Sequence, residues 1–546
     1  MQELKNSLGD IIKELFGIEI EPEVTVAPEG VEADFSSNVA MRLAGQLHKA
    51  PMEIAEQIAE KVDFTGNVEV SRPGFLNFIS PDEYFVEKLG EMRGDFAGAI
   101  ACDEYAGKTV VCEFSDPNPF KVLHVGHLYT SVVGDAISRL IEFAGGRVIR
   151  ANFGGDVGLH VAKTIYALKD KNTDNLTIED IAKCYVEGTR AYDEDEQAHK
   201  EIVQLNKEIY AIAEGDLHDS RVAELYWRGR ELSYKYFEDF YAKIGLKFDK
   251  YYPESEVAGR GLKEVRKGLK GGVYEESDGA VVYKGEKCGL HTRVFINNEG
   301  LPTYEAKDVG LIFTKWDDWK FDESVVITGN DIVDYMKVVL KSVGEMNAEL
   351  PKRTTHLTHG NVKLPGSVKM SSRKGNFLKA VEVLEMIAEA LKRDYKSEDF
   401  MVALGATKYA FLKYKIGGDI IFDIENSVKM TGNSGPYLQY SCVRAKKILS
   451  NKKGEVELKD IAGEEKALVK KIIEYKGVLG EVVREKAPHK LCNYLYELAQ
   501  EFSRFYEKCP VVGNEREGER MEIVGAYLDV MTSGLDLLGI EIPEEM

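Results

Sequence analysis

Residues 109–156 read TVVCEFSDPNPFKVLHVGHLYTSVVGDAISRLIEFAGGRVIRANFGGD. Thr109–Phe114 is β-branched and apolar over the length of a strand, and a turn rich in Ser, Asp, Pro and Asn follows it. Leu128, Val132, Ala136, Ile137, Leu140 and Ile141 recur at helical spacing until Gly145-Gly146 stops the helix. Arg147–Phe153 resumes the strand pattern. The stretch is a β-turn-α-β unit, with His124, Gly126 and His127 where the helix begins.

That position carries chemistry. A helix N-terminus presents unpaired N–H groups and partial positive charge, which suits a phosphate. His124 and His127 lie on one face of the first turn. Gly126 allows a ring or a backbone to approach closely. Two nearby histidines are more often ordinary polar residues. Here a strand precedes them and a helix follows, with Pro117-Asn118 and Lys121 just upstream, so the functional reading is the better one.

The chain has 546 residues, enough for roughly three or four domains of about 150 residues each. Its 71 Lys and Arg against 92 Asp and Glu give a formal charge of −21, which argues against a bulk electrostatic grip on nucleic acid but leaves room for a local basic groove. Seven cysteines form no CxxC pair, so a disulfide framework or a zinc knuckle is not expected. No apolar run has the length of a membrane span, and none near the start resembles a signal peptide. A cytoplasmic protein that avoids membranes is the expectation, with no metal-ligand set of its own.

Residues 1–107 read as a small α+β module. Leu4, Leu8, Ile11, Ile12 and Leu15 suit an opening amphipathic helix, and Ile54, Ile58 and Val62 a second. Val68–Val70 and Phe75–Ile79 flank a turn at Ser71–Gly74, Asp34–Asn38 reads as a capped helix start, and Ala97–Gly107 as a linker. Residues 108–400 form the predicted α/β domain with helical insertions. Asn152-Phe153-Gly154-Gly155-Asp156 falls at the carboxyl end of a strand, where doubly wound sheets bind ligands. The acidic run Asp193–Glu196 reads as a solvated face. Tyr304 and Asp308 share a helical face, a phenol and a carboxylate that could hold a cationic side chain. Val325-Val326-Ile327 is a buried parallel strand leading to Gly329-Asn330-Asp331.

Lys369-Met370-Ser371-Ser372-Arg373-Lys374-Gly375 packs three cations and two hydroxyls into one tight loop, the mixture a leaving polyphosphate needs. Residues 401–546 are helical in pattern. Tyr437, Gln439, Tyr440 and Arg444 are of the types that stack on and hydrogen-bond to single-stranded bases, though packing in a helical bundle accounts for most such aromatics.

His124-Val-Gly-His127 followed by Lys369-Met-Ser-Ser-Arg-Lys-Gly375 resembles the signature pair of class I aminoacyl-tRNA synthetases. Within that class the chain is similar to the arginyl-tRNA synthetase family. The likeness runs through Pro117-Asn118, Lys121, Gly134-Asp135, Val148–Asn152, Gly155-Asp156, Tyr304, Asp308, Gly435–Tyr440 and Arg444. It also takes in Pro73–Phe78 and Gly534–Ile540, and so spans nearly the whole chain.

The resemblance implies a Rossmann-type catalytic domain, an N-terminal domain that touches the tRNA, and an all-helical C-terminal anticodon-binding domain. It implies that arginine is joined to its tRNA through arginyl-adenylate, with ATP as substrate and Mg²⁺ on the ATP phosphates. By position, Asn118, Asn152, Tyr304 and Asp308 would bind arginine. His124, His127, Lys369 and Lys374 would be catalytic. Lys121, Gly126, Gly329, Asp331, Met370 and Ser371 would help to hold ATP, and Tyr437, Gln439, Tyr440 and Arg444 would meet the tRNA. DNA is not an expected partner, and a monomer is. Tyr129, Ile332 and Ser372 depart from the family pattern, which commonly has Arg, Gln and Lys there. The competing readings are another class I synthetase, a plain nucleotidylyltransferase and a non-catalytic tRNA-binding homologue.

Overall fold

The computed structural model describes residues 2–546 except 28, 29, 216–219, 366–377, 451, 453, 455 and 462. The chain divides into two compact units, one of Met1–Ala101, Ser441–Glu481 and Asn493–Gly534, the other of Cys102–Tyr440, Val482–Cys492 and Leu535–Met546.

In the first unit Thr25–Val26 (β1), Phe35–Ser37 (β2), Asn67–Ser71 (β3) and Phe75–Ile79 (β4) form an antiparallel sheet of order β1-β2-β4-β3. Leu8, Ile12, Leu43, Ile54, Ile58, Leu76, Phe78 and Phe85 are buried there. The expected hairpin around Ser71–Gly74 is present. The expected helix start at Asp34–Asn38 is present, Asn38 being the N-cap residue of the helix Val39–Leu47, but it makes no side-chain cap bond and Phe35–Ser37 before it forms strand β2. Those polar side chains bond across the sheet, Ser36 Oγ donating to Asn77 Oδ1 at 2.9 Å and Ser80 N–H to Asp34 Oδ2 at 2.6 Å. The expected linker Ala97–Gly107 opens instead with a helical turn, Phe96–Ile100, which Asp95 caps by accepting from Gly98 N–H. The N-terminal residues pack on chain from far downstream. Lys466 pairs with Asp82 at 2.7 Å and Lys470 with Asp34 at 2.8 Å, while Arg93 binds Glu522 and Asp529.

The second unit is built on five parallel strands. These are Thr109–Glu113 (β5), Arg147–Gly154 (β6), Lys250–Pro253 (β7), Glu323–Gly329 (β11) and Thr354–His359 (β12), in the order β12-β11-β5-β6-β7. The helix Val125–Phe143 joins β5 to β6, as its apolar spacing requires. Glu275–Ser277 (β8), Ala280–Tyr283 (β9) and Arg293–Ile296 (β10) form a small antiparallel sheet of order β10-β9-β8. Helices Ile178–Glu194, Glu196–Glu214 and Arg221–Lys243 insert between β6 and β7 around Ile181, Ile202, Ile209, Ile212 and Tyr226. The acidic run is exposed, and Asp195 within it caps the second of these helices. After residue 400 the chain is helical apart from Ile420–Ile421, which pairs with Val362–Lys363.

One helix pair sets the position of Asp308. Glu254–Lys270 and Tyr304–Trp319 approach at Gly261 and Gly310, where a Cβ would stand 2.0 Å from Ala306 O and 2.2 Å from Val257 O. No larger residue fits without parting the helices. Gly261→Ala should therefore cost about 1–3 kcal/mol of stability through overpacking, seen as a lower thermal midpoint. An unchanged midpoint would show that the contact yields freely.

Candidate active site

The loops after β5, β6 and β11 share the carboxyl edge of the parallel sheet, where open α/β folds place their ligands. His124 is the N-cap of the helix that leaves β5. Its Nδ1 accepts from Gly126 N–H at 3.1 Å and His127 N–H at 3.4 Å, while His127 Nδ1 accepts from His124 N–H at 3.2 Å. The two rings stack with centroids 3.8 Å apart and planes 16° apart. A Cβ on residue 126 would stand 2.8 Å from the His124 ring, so the ring that needs Gly126 is that of His124 itself.

These bonds fix the protonation. A ring nitrogen that accepts from backbone N–H carries no proton, so the hydrogen of each neutral imidazole sits on Nε2. Burial and the nearby Lys121 push the His124 imidazole down to about 4. Burial, then the His124 ring and Lys121, hold His127 well below the usual histidine range. Both rings are neutral donors at physiological pH, set where the helix dipole favours an anion.

The other side of the β5 end is acidic. Lys315 binds buried Glu113, and Lys307 binds buried Glu254 at 2.6 Å. Asp116 and Asp308 lie in the same field, and neither forms an ion pair among the described residues. Burial raises the Asp308 carboxyl to about 7; a hydrogen bond from Tyr335 opposes this, and Glu113 and Glu254 add to it. Burial and then Glu113 raise Asp116 well above the carboxylate range, although its Oδ1 accepts from Phe153 N–H at 2.8 Å. A basin with two uncompensated carboxylates calls for a cationic ligand.

Around it, Asn118 Oδ1 accepts from Gly155 N–H at 2.8 Å, and buried Asn152 donates to Phe114 O and Tyr241 OH. Asp156 is fully buried, bound by Arg230 at 2.8 Å and by Ser255. Tyr304 is 64% exposed, so its ring is open to a ligand, with Lys307 Nζ 5.1 Å from its centroid. Lys121 lies over the Tyr185 ring, and Gly329 and Asp331 end β11 and begin the next turn. Lys369, Met370, Ser371, Ser372 and Lys374 lie outside the described residues. Buried Tyr129 packs its ring against His359 and Phe411. Gln439 is buried with its amide on Glu541 O, while Tyr440 is exposed and Arg444 stacks on Tyr506. Glu113, Asp116, Glu254, Lys307, Lys315 and Tyr335 escaped the sequence reading. For Glu113 and Lys315 the one signal is charge inside otherwise apolar elements.

A family model described as tRNA synthetases class I (R), catalytic domain, matches residues 99–423. The arginyl tRNA synthetase N terminal domain matches 2–79, and the DALR anticodon binding domain matches 438–546. The chain belongs to the class I arginyl-tRNA synthetase family. It is 28% identical to the arginine–tRNA ligase of Thermobifida fusca over 94% of both chains, and 28% identical to that of Porphyromonas gingivalis over the full length of both. The fold matches the arginyl-tRNA synthetase of Thermus thermophilus with a TM-score of 0.82 at 24% identity, covering all of both chains. It matches that of Plasmodium falciparum with a TM-score of 0.81 at 21% identity, covering 100% of this chain and 99% of that one.

The pKa directions give this synthetase a distinctive pH dependence. Asp308 is neutral below about pH 7 and ionised above it, whereas His124 keeps its neutral form down to about pH 4. As pH falls from 9 to 5.5, kcat/KM for arginine should drop tenfold per unit below about 7. Over the same range kcat/KM for ATP at saturating arginine should stay level. Parallel acid limbs in both profiles would contradict the assignment.

Proposed function

We propose that the chain attaches L-arginine to tRNA(Arg) through arginyl-adenylate, with the basin at Asp308 holding arginine and the His124–His127 helix start holding ATP. The observation that carries this is the pair of carboxylates without an ion-pair partner among the described residues, half-buried Asp116 and buried Asp308. Arginine brings two cations, a guanidinium and an α-ammonium, and two carboxylates match them. Asp308 takes the planar guanidinium in a two-point contact that lysine cannot copy. Tyr304 covers it, and Asn118 and Asn152 bind the amino-acid end.

In the first step an oxygen of the arginine carboxylate attacks the α-phosphorus of ATP. The bond from that phosphorus to the β-bridging oxygen breaks, and pyrophosphate leaves. In the second, a ribose hydroxyl at the tRNA 3′ end attacks the activated carbonyl and AMP leaves. The substrate supplies the nucleophile, so the protein acts by placement and by stabilising charge on the phosphates. The Nε2–H groups of His124 and His127 donate to those phosphates, and Lys121 adds charge. Lys369, Ser371 and Lys374 hold the leaving pyrophosphate, and Gly329, Asp331, Gly126 and Met370 complete the nucleotide pocket.

Among the described residues no group of three or more His, Cys, Asp or Glu is placed to hold a metal ion. Mg²⁺ carried on the ATP phosphates would screen their charge. Tyr437, Tyr440 and Arg444 belong to the helix that opens the anticodon-binding region and meet the tRNA from it, whereas Gln439, buried with its amide on Glu541 O, holds that helix in place instead of contacting the tRNA. Residues 1–107, 108–400 and 401–546 are the tRNA-contacting, catalytic and anticodon-binding domains. The enzyme acts as a monomer in the cytoplasm, where tRNA charging for protein synthesis takes place.

ATP–pyrophosphate exchange with each amino acid, with and without tRNA, is the test. Exchange with arginine alone among the amino acids is expected. Exchange with another would keep the class and overturn the specificity. Asp308→Asn should raise KM for arginine roughly 100-fold and leave KM for ATP unchanged; equal losses would mean a structural role. His127→Ala should slow adenylate formation roughly 100-fold with tRNA affinity intact.

A further inference from the structure

We propose that Tyr335 is a positioning residue for arginine recognition, its hydroxyl donating to Oδ2 of Asp308 and so fixing which lone pairs of that carboxylate face the guanidinium. The inference rests on the reading that Asp308 binds arginine. Tyr335 stands in the first turn of the helix Val333–Met346, just after the Gly329-Asn330-Asp331 end of β11. From there its hydroxyl crosses to Asp308 on the helix Tyr304–Trp319. The ring is held from outside the pair. The Arg293 guanidinium lies 5.5 Å from its centroid and is itself bound to Glu305 at 3.4 Å. Ile332, one turn earlier, packs on the apolar core.

A phenol is a well-chosen partner here. A carboxylate offers about four lone-pair sites, of which Tyr335 takes one on Oδ2. At least one site on each oxygen remains for the two parallel N–H groups of a guanidinium. A Lys or Arg in the same place would orient the carboxylate equally well but would cancel the charge meant for the substrate. The basin's two lysines go to Glu113 and Glu254, and Asp308 receives a neutral donor. Tyr335 therefore orients without neutralising.

The hydroxyl also sets where Asp308 titrates. Glu113, Asp116, Glu254 and Glu305 surround the carboxyl with negative charge, Lys307, Lys315 and Arg293 with positive, and burial dominates. The Tyr335 hydrogen bond pulls the carboxyl down, so its loss moves Asp308 further up.

The test is Tyr335→Phe, which keeps the ring and removes the donor. In ATP–pyrophosphate exchange near neutral pH, KM for arginine should rise about tenfold and the acid limb of kcat/KM should move up by about one pH unit. KM for ATP and kcat at saturating arginine should stay within about twofold. In an Asp308→Ala background the same change should alter KM for arginine less than about twofold, because the group that Tyr335 positions is gone. If the unmodified enzyme exchanges with arginine while Tyr335→Phe keeps its KM and acid limb, the positioning role falls and the function stands. A further tenfold loss in the Asp308→Ala background also overturns it, as does an equal rise in KM for ATP. If the unmodified enzyme fails to use arginine, both fall.

Discussion

The second unit depends on how it disposes of buried charge where β5 ends. An uncompensated carboxylate in a dry site is expensive, and proteins usually pair it or leave it protonated. Here pairing is selective. Glu113 and Glu254 each have a lysine that reaches them from the helix Tyr304–Trp319. Asp116 and Asp308 have none among the described residues. The two lysines let that helix pack against β5 and against the helix Glu254–Lys270 without a second pair of buried charges left bare. What remains unpaired is what the ligand must satisfy. On the proposed function, binding has a direct electrostatic cause, because a guanidinium beside Asp308 offsets the cost of burying its charge.

The phosphate side of the same strand end uses a different device. An anion there could have been met with charged histidines, but imidazolium rings would sit close to Lys121 and to each other. The reciprocal hydrogen bonds of His124 and His127 with the first-turn amides make both Nδ1 atoms acceptors and keep the rings neutral. Each ring thus caps the helix with one nitrogen and offers a donor with the other. On the proposed function, the same two side chains that cap the helix also bind the phosphates. The tight ring stack this requires is what places glycine between them.

Much of this was legible in sequence where the cause was local. The alternation from 109 to 114, the helical spacing from 128 to 141 and the glycine stop each depend on neighbours a few residues away, and the unit β5-helix-β6 follows. The same is true of the β3–β4 hairpin and of the placing of His124 and His127 at a helix start. What was not legible depends on distance along the chain. Lys315 meets Glu113 across 202 residues, so neither looked like part of a site. Asp34–Asn38 carries the residues of a helix cap, yet a partner strand 41 residues on claims Ser36 for a sheet. The association of residues 1–101 with late helices rests on ion pairs such as Lys466–Asp82, separated by 384 residues. Motifs report chemistry and local geometry; charge compensation is a property of the folded neighbourhood.

The two halves of the site are consistent with one another because neither spoils the other's field. Fixed positive charge on the histidines would lie within reach of the acidic basin and weaken its hold on a cation. Extra negative charge at the helix start would repel a polyphosphate. On the proposed function, neutral donors on one side, and carboxylates held by neutral donors or private lysines on the other, suit a cationic amino acid beside an anionic nucleotide. The reacting carboxylate and phosphate can then meet between them. Mutual repulsion of those two anions is the barrier such a reaction must lower, and a site that fixes both by their far ends, guanidinium and polyphosphate, brings them together without a covalent group of its own.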